Sequence, residues 1–330
     1  MGEEQPDGQT IAPPRWHPLE IAFWVAPLVA FFVAPDRRLF GSQIFAYGLF
    51  AMSLDLILGY AGILSLGHAA FFGAGAYTAG LLARAGWTEP LSGLALAGIA
   101  SSVLGYAVGA LVVPGGDLAR LMVTLGIGLT MFEAANQASS VTGGVDWLSD
   151  MQAGKLFGRF GFTLDGTTSY LYALAVLFLV FAFARRLVHS PFGLILRGIR
   201  ENVRRMPAVG VDVNRRLRTV FALAAGIAGM AGAVLAQTTQ FVGIDTLGFQ
   251  RSAELLIIVV FGGTGRLYGA LLGATAFLLA QDYLAGISPA YWQFWLGAVL
   301  VLLVLIARGG LLGGLEVLYQ QVRRRAWRPR

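Results

Sequence analysis

Four carboxylates stand inside apolar stretches of the sequence, where charge is costly enough in a membrane to mark function by default. Asp55 lies deepest in its run, whereas Glu133, Glu254 and Asp282 fall near run ends, within reach of water. Asp55 suits either a buried hydrogen bond between helices or a role in a transport path. Ser65 and His68, three residues apart, can share a helix face, the spacing of a nucleophile beside its base. There is no Gly-x-Ser-Gly around Ser65, no oxyanion loop and no obvious third partner, so a packed or pore-side hydrogen bond is the simpler role for His68. The three histidines, His17, His68 and His189, lack metal-ligand spacing, and the absence of cysteine removes disulfides, thiolate metal sites and cysteine nucleophiles. Lys155, the only lysine, sits in AGKL without the glycine spacing or the Ser/Thr of a phosphate-binding loop. GAG at 73–75 starts like a dinucleotide fingerprint, but it lies in an apolar segment with Thr78 at the third glycine position. The chain is expected to hold no metal or cofactor and to hydrolyse no ATP itself.

The elements that must carry these residues follow from composition. Of 330 residues, 56% are hydrophobic and 13% charged. An ordinary soluble domain is about 25% charged, so a soluble surface is out of reach. A bilayer core about 30 Å thick needs roughly 20 apolar helical residues. Runs at 19–34, 39–59, 66–83, 91–113, 118–135, 169–187, 219–241, 267–284 and 291–307 fit that length, and a briefer run at 253–262 ends in FGGTG. The brief run reads as a half-helix or broken helix turning at Gly262, Gly263 and Gly265. Glu3, Glu4 and Asp7 precede Arg15, the wrong pattern for a secretory signal, so the first run is read as a retained span.

Arginine placement sets the orientation. Nine arginines lie between Arg185 and Arg218 against Glu201 and Asp212, and six lie between Arg308 and Arg330 against Glu316. Both regions are expected to be cytoplasmic. An even number of crossings must join them, which holds only if the short run crosses. The expectation is an all-α polytopic membrane protein with about ten segments, one short or broken, and both termini cytoplasmic. It divides into an N-terminal tail (1–18), a membrane domain (19–307) with a cytoplasmic loop at 189–218, and a basic tail (308–330).

That loop is unusual. Ser190 and Pro191 read as N-cap and first helical residue, and Pro207 as the stop. Between them Leu194, Ile195, Leu196, Ile199 and Val203 alternate with Arg197, Arg200, Glu201, Arg204 and Arg205, giving an amphipathic helix of about three turns. Taken alone it suits an interfacial helix on anionic lipid as well as a docking element. Asp212 or Asn214 can cap the span that follows. The pairs Gly105/Gly109 and Gly269/Gly273, and the series Gly226, Gly229 and Gly232, read as faces for close helix crossing.

GYAGILSLGHAAFFGAGAYTAGLL (59–82) resembles the membrane permeases of branched-chain amino-acid ABC importers. Three further stretches agree in the family's order: 119–148 with its Thr-Gly-Gly loop, 190–236 with its Ser-Pro-Phe-Gly start, and 253–274 with its glycine turn. The Thr-Gly-Gly loop and the Ser-Pro-Phe-Gly start favour the LivM-type half over the LivH-type half. The resemblance implies a permease of the bacterial inner membrane that pairs with a second, similar permease. It also implies two cytoplasmic ATPase subunits, which bind the ATP, and a periplasmic binding protein. The loop at Leu194, Leu196, Arg197, Ile199, Arg200, Glu201, Asn202, Pro207, Ala208 and Gly210 is then the element that docks on the ATPase, which displaces the lipid-lying reading. The family often has asparagine where Asp55 stands, and small or acidic residues, including a glutamate at the Pro207 place, where this chain has Arg204, Arg205 and Pro207.

The residues chosen for a translocation path are Asp55, Ser65, His68, Phe72 and Tyr77, with Thr142 and Gly143 near the outer mouth. Leucine, isoleucine and valine are the expected substrates, with urea, short amides or other amino acids as alternatives. An ion-coupled secondary transporter using Asp55 or Glu133, and an intramembrane hydrolase using Ser65, are the other classes.

Overall fold

In the computed structural model, residues 18–144 and 165–289 are described, together with 147–148, 151, 154–163, 291–295, 297–298 and 310. Nearly all of the two tails, and most of the span expected at 291–307, lie outside the described residues. The elements are α1 (Pro18–Val33), α2 (Arg38–Leu58), α3 (Ala69–Arg84), α4 (Pro90–Val112), α5 (Asp117–Gln137), a short α6 (Ser139–Thr142), α7 (Thr167–Val188), α8 (Pro191–Glu201), α9 (Val213–Thr239), α10 (Phe249–Gly262) and α11 (Leu267–Ile287). Six of them, α2, α4, α5, α7, α9 and α11, are long and apolar enough to cross a membrane, with α2 extended by the preceding turn at Pro35.

Two expected boundaries move. The run at 66–83 is helical only from Ala69; residues 59–68 form turns and irregular chain, with Gly62 at φ 73°. That irregular backbone is covered by protein, since Ile63, Ser65 and His68 are buried, and burial in protein is what permits non-helical chain at membrane depth. The run at 219–241 begins earlier, because the Asp212 carboxylate accepts the Arg215 backbone N–H at 3.0 Å and caps α9. The short run at 253–262 is the 14-residue α10, and its glycine turn leads directly into α11.

Helix α9 is the hub, packing along α2, α3 and α4. Its glycines make this possible. A methyl group at Gly229 would strike Ser101 of α4, and one at Gly232 would strike the Phe72 carbonyl of α3. Gly75 of α3 meets the Gly229 backbone in turn, and Gly105 meets Ala225. Helices without side chains between them gain backbone-close dispersion contact, the main attraction available where lipid competes for apolar surface. Gly269 and Gly273 of α11 seat α10 in the same way, against Gly262 and Ile258. Gly229→Leu is expected to destabilise the bundle by about 1–3 kcal/mol, since neither backbone can yield. The readout is a lowered thermal midpoint, or loss of the monodisperse peak, in detergent; an unchanged midpoint would contradict this packing.

The helix ends are tied by polar pairs. Arg185 of α7 meets Glu20 of α1 at 2.9 Å, while at the other end of α1 Arg37 meets Asp282 of α11 at 2.9 Å. Helix α5 stands apart: only Thr124 and Gly128 are buried, and its remaining face is open.

Candidate functional site: the α8 helix and the glycine turn

Helix α8 follows α7 after a single turn. Pro191 starts it, but the Ser190 hydroxyl donates back to the Leu187 carbonyl at 2.6 Å and makes no capping bond into α8. The helix ends at Glu201, earlier than the expected stop at Pro207. The Asn202 side chain accepts the backbone N–H groups of Arg204 and Arg205 at 3.1 and 3.2 Å and turns the chain. Pro207 instead opens a 3-10 turn, Met206–Val209, and Gly210 follows at φ 80°.

The amphipathic pattern divides the loop residues into two groups. Leu196 and Ile199 are fully buried against the bundle. Arg197 donates to the Val188 carbonyl at 3.1 Å and lies 5.8 Å from the Tyr60 ring. Leu194, Glu201, Asn202, Pro207, Ala208 and Gly210 are exposed, with Val203 and Val209 beside them. An apolar strip rimmed by arginines and left open to solvent is the composition of an interaction surface.

Arg200 is exposed on α8, yet its head turns back to the bundle. Its guanidinium donates to the Gly59 carbonyl at the C-terminal end of α2, and its side chain lies along Gly62. A cation at this position meets orphan carbonyls and the negative end of the helix dipole. Gly265 of the α10–α11 turn, at φ 79°, sits against both Gly59 and Arg200. Its backbone N–H donates to the Asp55 carboxylate at 2.6 Å. The Arg266 backbone N–H and the Arg200 guanidinium also face that carboxylate. A side chain at Gly59 would run into both Asp55 and the Gly265 nitrogen. One knot thus joins α2, α8 and the glycine turn, and it gives Asp55 a hydrogen-bonding job across 210 residues of sequence.

Of the other residues chosen for a path, Ser65, His68, Phe72 and Tyr77 are buried within the chain, whereas Thr142 and Gly143 are half-buried. His68 is fully buried; its ring stacks on Phe50 with centroids 5.9 Å apart, and Nε2 lies 2.9 Å from the Ser53 hydroxyl. Ser53 donates its one proton to the Phe50 carbonyl at 2.6 Å, so Nε2–H is the donor to Ser53. His68 therefore pairs with Ser53 and not with Ser65, whose hydroxyl is buried without a partner among the described residues. The nucleophile–base arrangement of a hydrolase is not assembled. Phe72 stacks on Phe50 at 4.3 Å, and Tyr77 is buried with its hydroxyl unpaired among the described residues. Thr142 bonds the Ala135 carbonyl at 2.6 Å, and Gly143 ends α6 in a left-handed turn. Ser65→Ala is expected to leave the thermal midpoint unchanged. Ser53→Ala, which strips His68 of its partner, is expected to cost about 1–3 kcal/mol. A larger loss from Ser65→Ala would contradict this assignment.

At the far end of the bundle from α8 lies a polar crevice that the sequence did not disclose. Tyr47, Asp245, Arg251 and Gln281 line it, from α2, the chain after α9, the start of α10 and the end of α11. The only signal was Arg251 three residues before Glu254, a pair now seen at 2.9 Å.

Comparisons with known proteins place these features in context. The family model described as branched-chain amino acid transport system / permease component matches residues 40–304. The chain is 30% identical over 292 residues to the high-affinity branched-chain amino acid transport system permease protein LivM of Escherichia coli (strain K12), covering 81% of this chain and 67% of that one. The probable branched-chain amino acid transport permease protein LivM of Methanocaldococcus jannaschii is 26% identical, over 78% of this chain and 88% of its own. The permease protein LivH of E. coli K12 is 24% identical, over 82% and 92% respectively. No solved structure gives a significant match.

Proposed function

The chain belongs to the branched-chain amino acid transport permease family, and from that premise we propose that it is the membrane-spanning subunit of an ATP-driven importer, coupled to its motor through α8. The complete machine in this reading contains a second permease, two cytoplasmic ATPase subunits and an extracytoplasmic binding protein, set in the bacterial inner membrane. The arginine-rich end with α8 faces the cytoplasm. All about ten segments cross, the short α10 among them. The open face of α5 is available to the second permease.

The observation that carries the reading is the Arg200 knot. The exposed strip of α8 is offered to the ATPase, while its opposite face is buried in the permease through Leu196 and Ile199. Arg200 and Asp55 then tie that helix to the end of α2 and to the turn joining α10 to α11. When ATP closes the ATPase pair, α8 is displaced. The displacement reaches the glycine turn, and α10 and α11 swing between two access states. Asp55 serves as the acceptor that holds the turn, a structural task that requires no bound ion.

The expected cargo is a branched-chain amino acid, which is what the names of the relatives record. The test is uptake into proteoliposomes holding both permeases and the ATPases, with binding protein added, for leucine, isoleucine, valine, urea and acetamide. Uptake of the branched amino acids only with ATP and binding protein is expected. Uptake driven by an ion gradient without ATP would overturn the reading.

A further inference from the structure

We propose that the crevice opposite α8 is a binding station for a zwitterionic α-amino acid with an apolar side chain, built within this one chain; the proposal rests on the permease reading and deepens it. The crevice has a volume of about 440 Å³, inside the roughly 300–1,000 Å³ range of small-molecule sites. Its two ends differ in chemistry. Asp245 is exposed into it and takes part in no ion pair among the described residues. Arg251 also lines it, anchored by Glu254 at 2.9 Å. A guanidinium has five donors, so one that bonds Glu254 and the Tyr47 hydroxyl keeps N–H groups for a second carboxylate. The remaining acid of the crevice, Asp282, is neutralised by Arg37 at 2.9 Å. That leaves one open anion beside one pre-positioned cation, with Leu235, Leu278 and Phe40 as the apolar wall.

A free α-amino acid carries the complement of this pattern on one carbon. Its ammonium meets Asp245, its carboxylate meets Arg251, and a branched aliphatic side chain covers the leucines. Urea and short amides carry no charge and would leave both groups unsatisfied, a penalty that selects against them. The crevice lies against the start of α10 and the end of α11, the two helices joined by the turn that Arg200 and Asp55 hold. Motion of that turn would therefore reshape the station.

The chain has no cysteine, so Gln281→Cys places a single reporter thiol on the crevice wall. Its labelling by a charged methanethiosulfonate is measured on the assembled importer, with detection on this chain. Leucine at twice its dissociation constant is expected to slow labelling about threefold by mass action. 4-Methylpentanoate, lacking the ammonium, and 3-methylbutylamine, lacking the carboxylate, are expected to protect little, and Asp245→Asn is expected to abolish protection by leucine. A thiol that never reacts, one that reacts equally with and without leucine, or one protected equally by all three compounds overturns the station. ATP-driven uptake measured in the same vesicles reports on the permease reading separately, so uptake with no protection sinks the station alone.

Discussion

Arg200→Ala is expected to abolish ATP-driven uptake while ATP hydrolysis by the assembled complex continues. Arg200 is itself exposed, but the apolar residues of the strip, Leu194, Val203 and Val209, are untouched by this change, so the ATPases are expected still to dock. What is lost is the guanidinium that grips the Gly59 carbonyl and lies against Gly62 and Gly265. Coupling energies carried by single residues reach about 2 kcal/mol, or roughly thirtyfold. The orphaned carbonyl at the end of α2 adds a desolvation cost of about 1–3 kcal/mol. Arg200→Lys keeps the charge but not the planar fork, and should recover part of the uptake. The measurement is leucine transported per ATP hydrolysed. Unchanged coupling in Arg200→Ala would show that α8 acts on the bundle through Leu196 and Ile199 alone. Simultaneous loss of hydrolysis would place Arg200 in docking instead.

Asp55 gives the second large effect, and the choice of substituent separates two roles. Asparagine keeps an oxygen to accept the Gly265 N–H now held at 2.6 Å, so Asp55→Asn is expected to retain most uptake. Leucine of similar size removes the acceptor and strands buried N–H groups, at about 1–3 kcal/mol for each. Asp55→Leu is therefore expected to lose uptake and to lower the thermal midpoint. An ion- or proton-coupled carrier would lose uptake in both variants, because neither asparagine nor leucine can titrate. Complete loss of uptake in a well-folded Asp55→Asn protein would favour that mechanism.

The sequence disclosed what depends on local pattern. Long apolar runs located the helices because a membrane span needs one composition over a fixed length. The alternation from Leu194 to Arg205 located α8, since an amphipathic stripe has a 3.6-residue period. The glycines at 226, 229 and 232 marked the groove that α3 and α4 occupy. Pairings distant in the chain were hidden. Nothing near Asp55 reveals that its partner is Gly265, and nothing in the stripe tells whether Arg200 faces the ATPase or the bundle. The break at 59–68 was hidden too, because apolar composition reads the same in a buried irregular segment as in a helix. The polar crevice escaped because its residues come from four separate segments, each unremarkable alone.

The central claim is mechanical: α8 and the α10–α11 turn move as one unit. Because the chain lacks cysteine, pairs of spin labels can be placed by two substitutions each. Arg204→Cys, three residues past the end of α8, with Thr264→Cys reports that end of α8 against the turn, and Asp117→Cys with Thr264→Cys reports the turn against the start of α5. Electron–electron distances are then measured in the assembled importer without nucleotide and with ATP trapped. The account predicts an unchanged 204–264 distance and a shifted 117–264 distance. A 204–264 distance that changes on ATP binding while 117–264 stays fixed would contradict it.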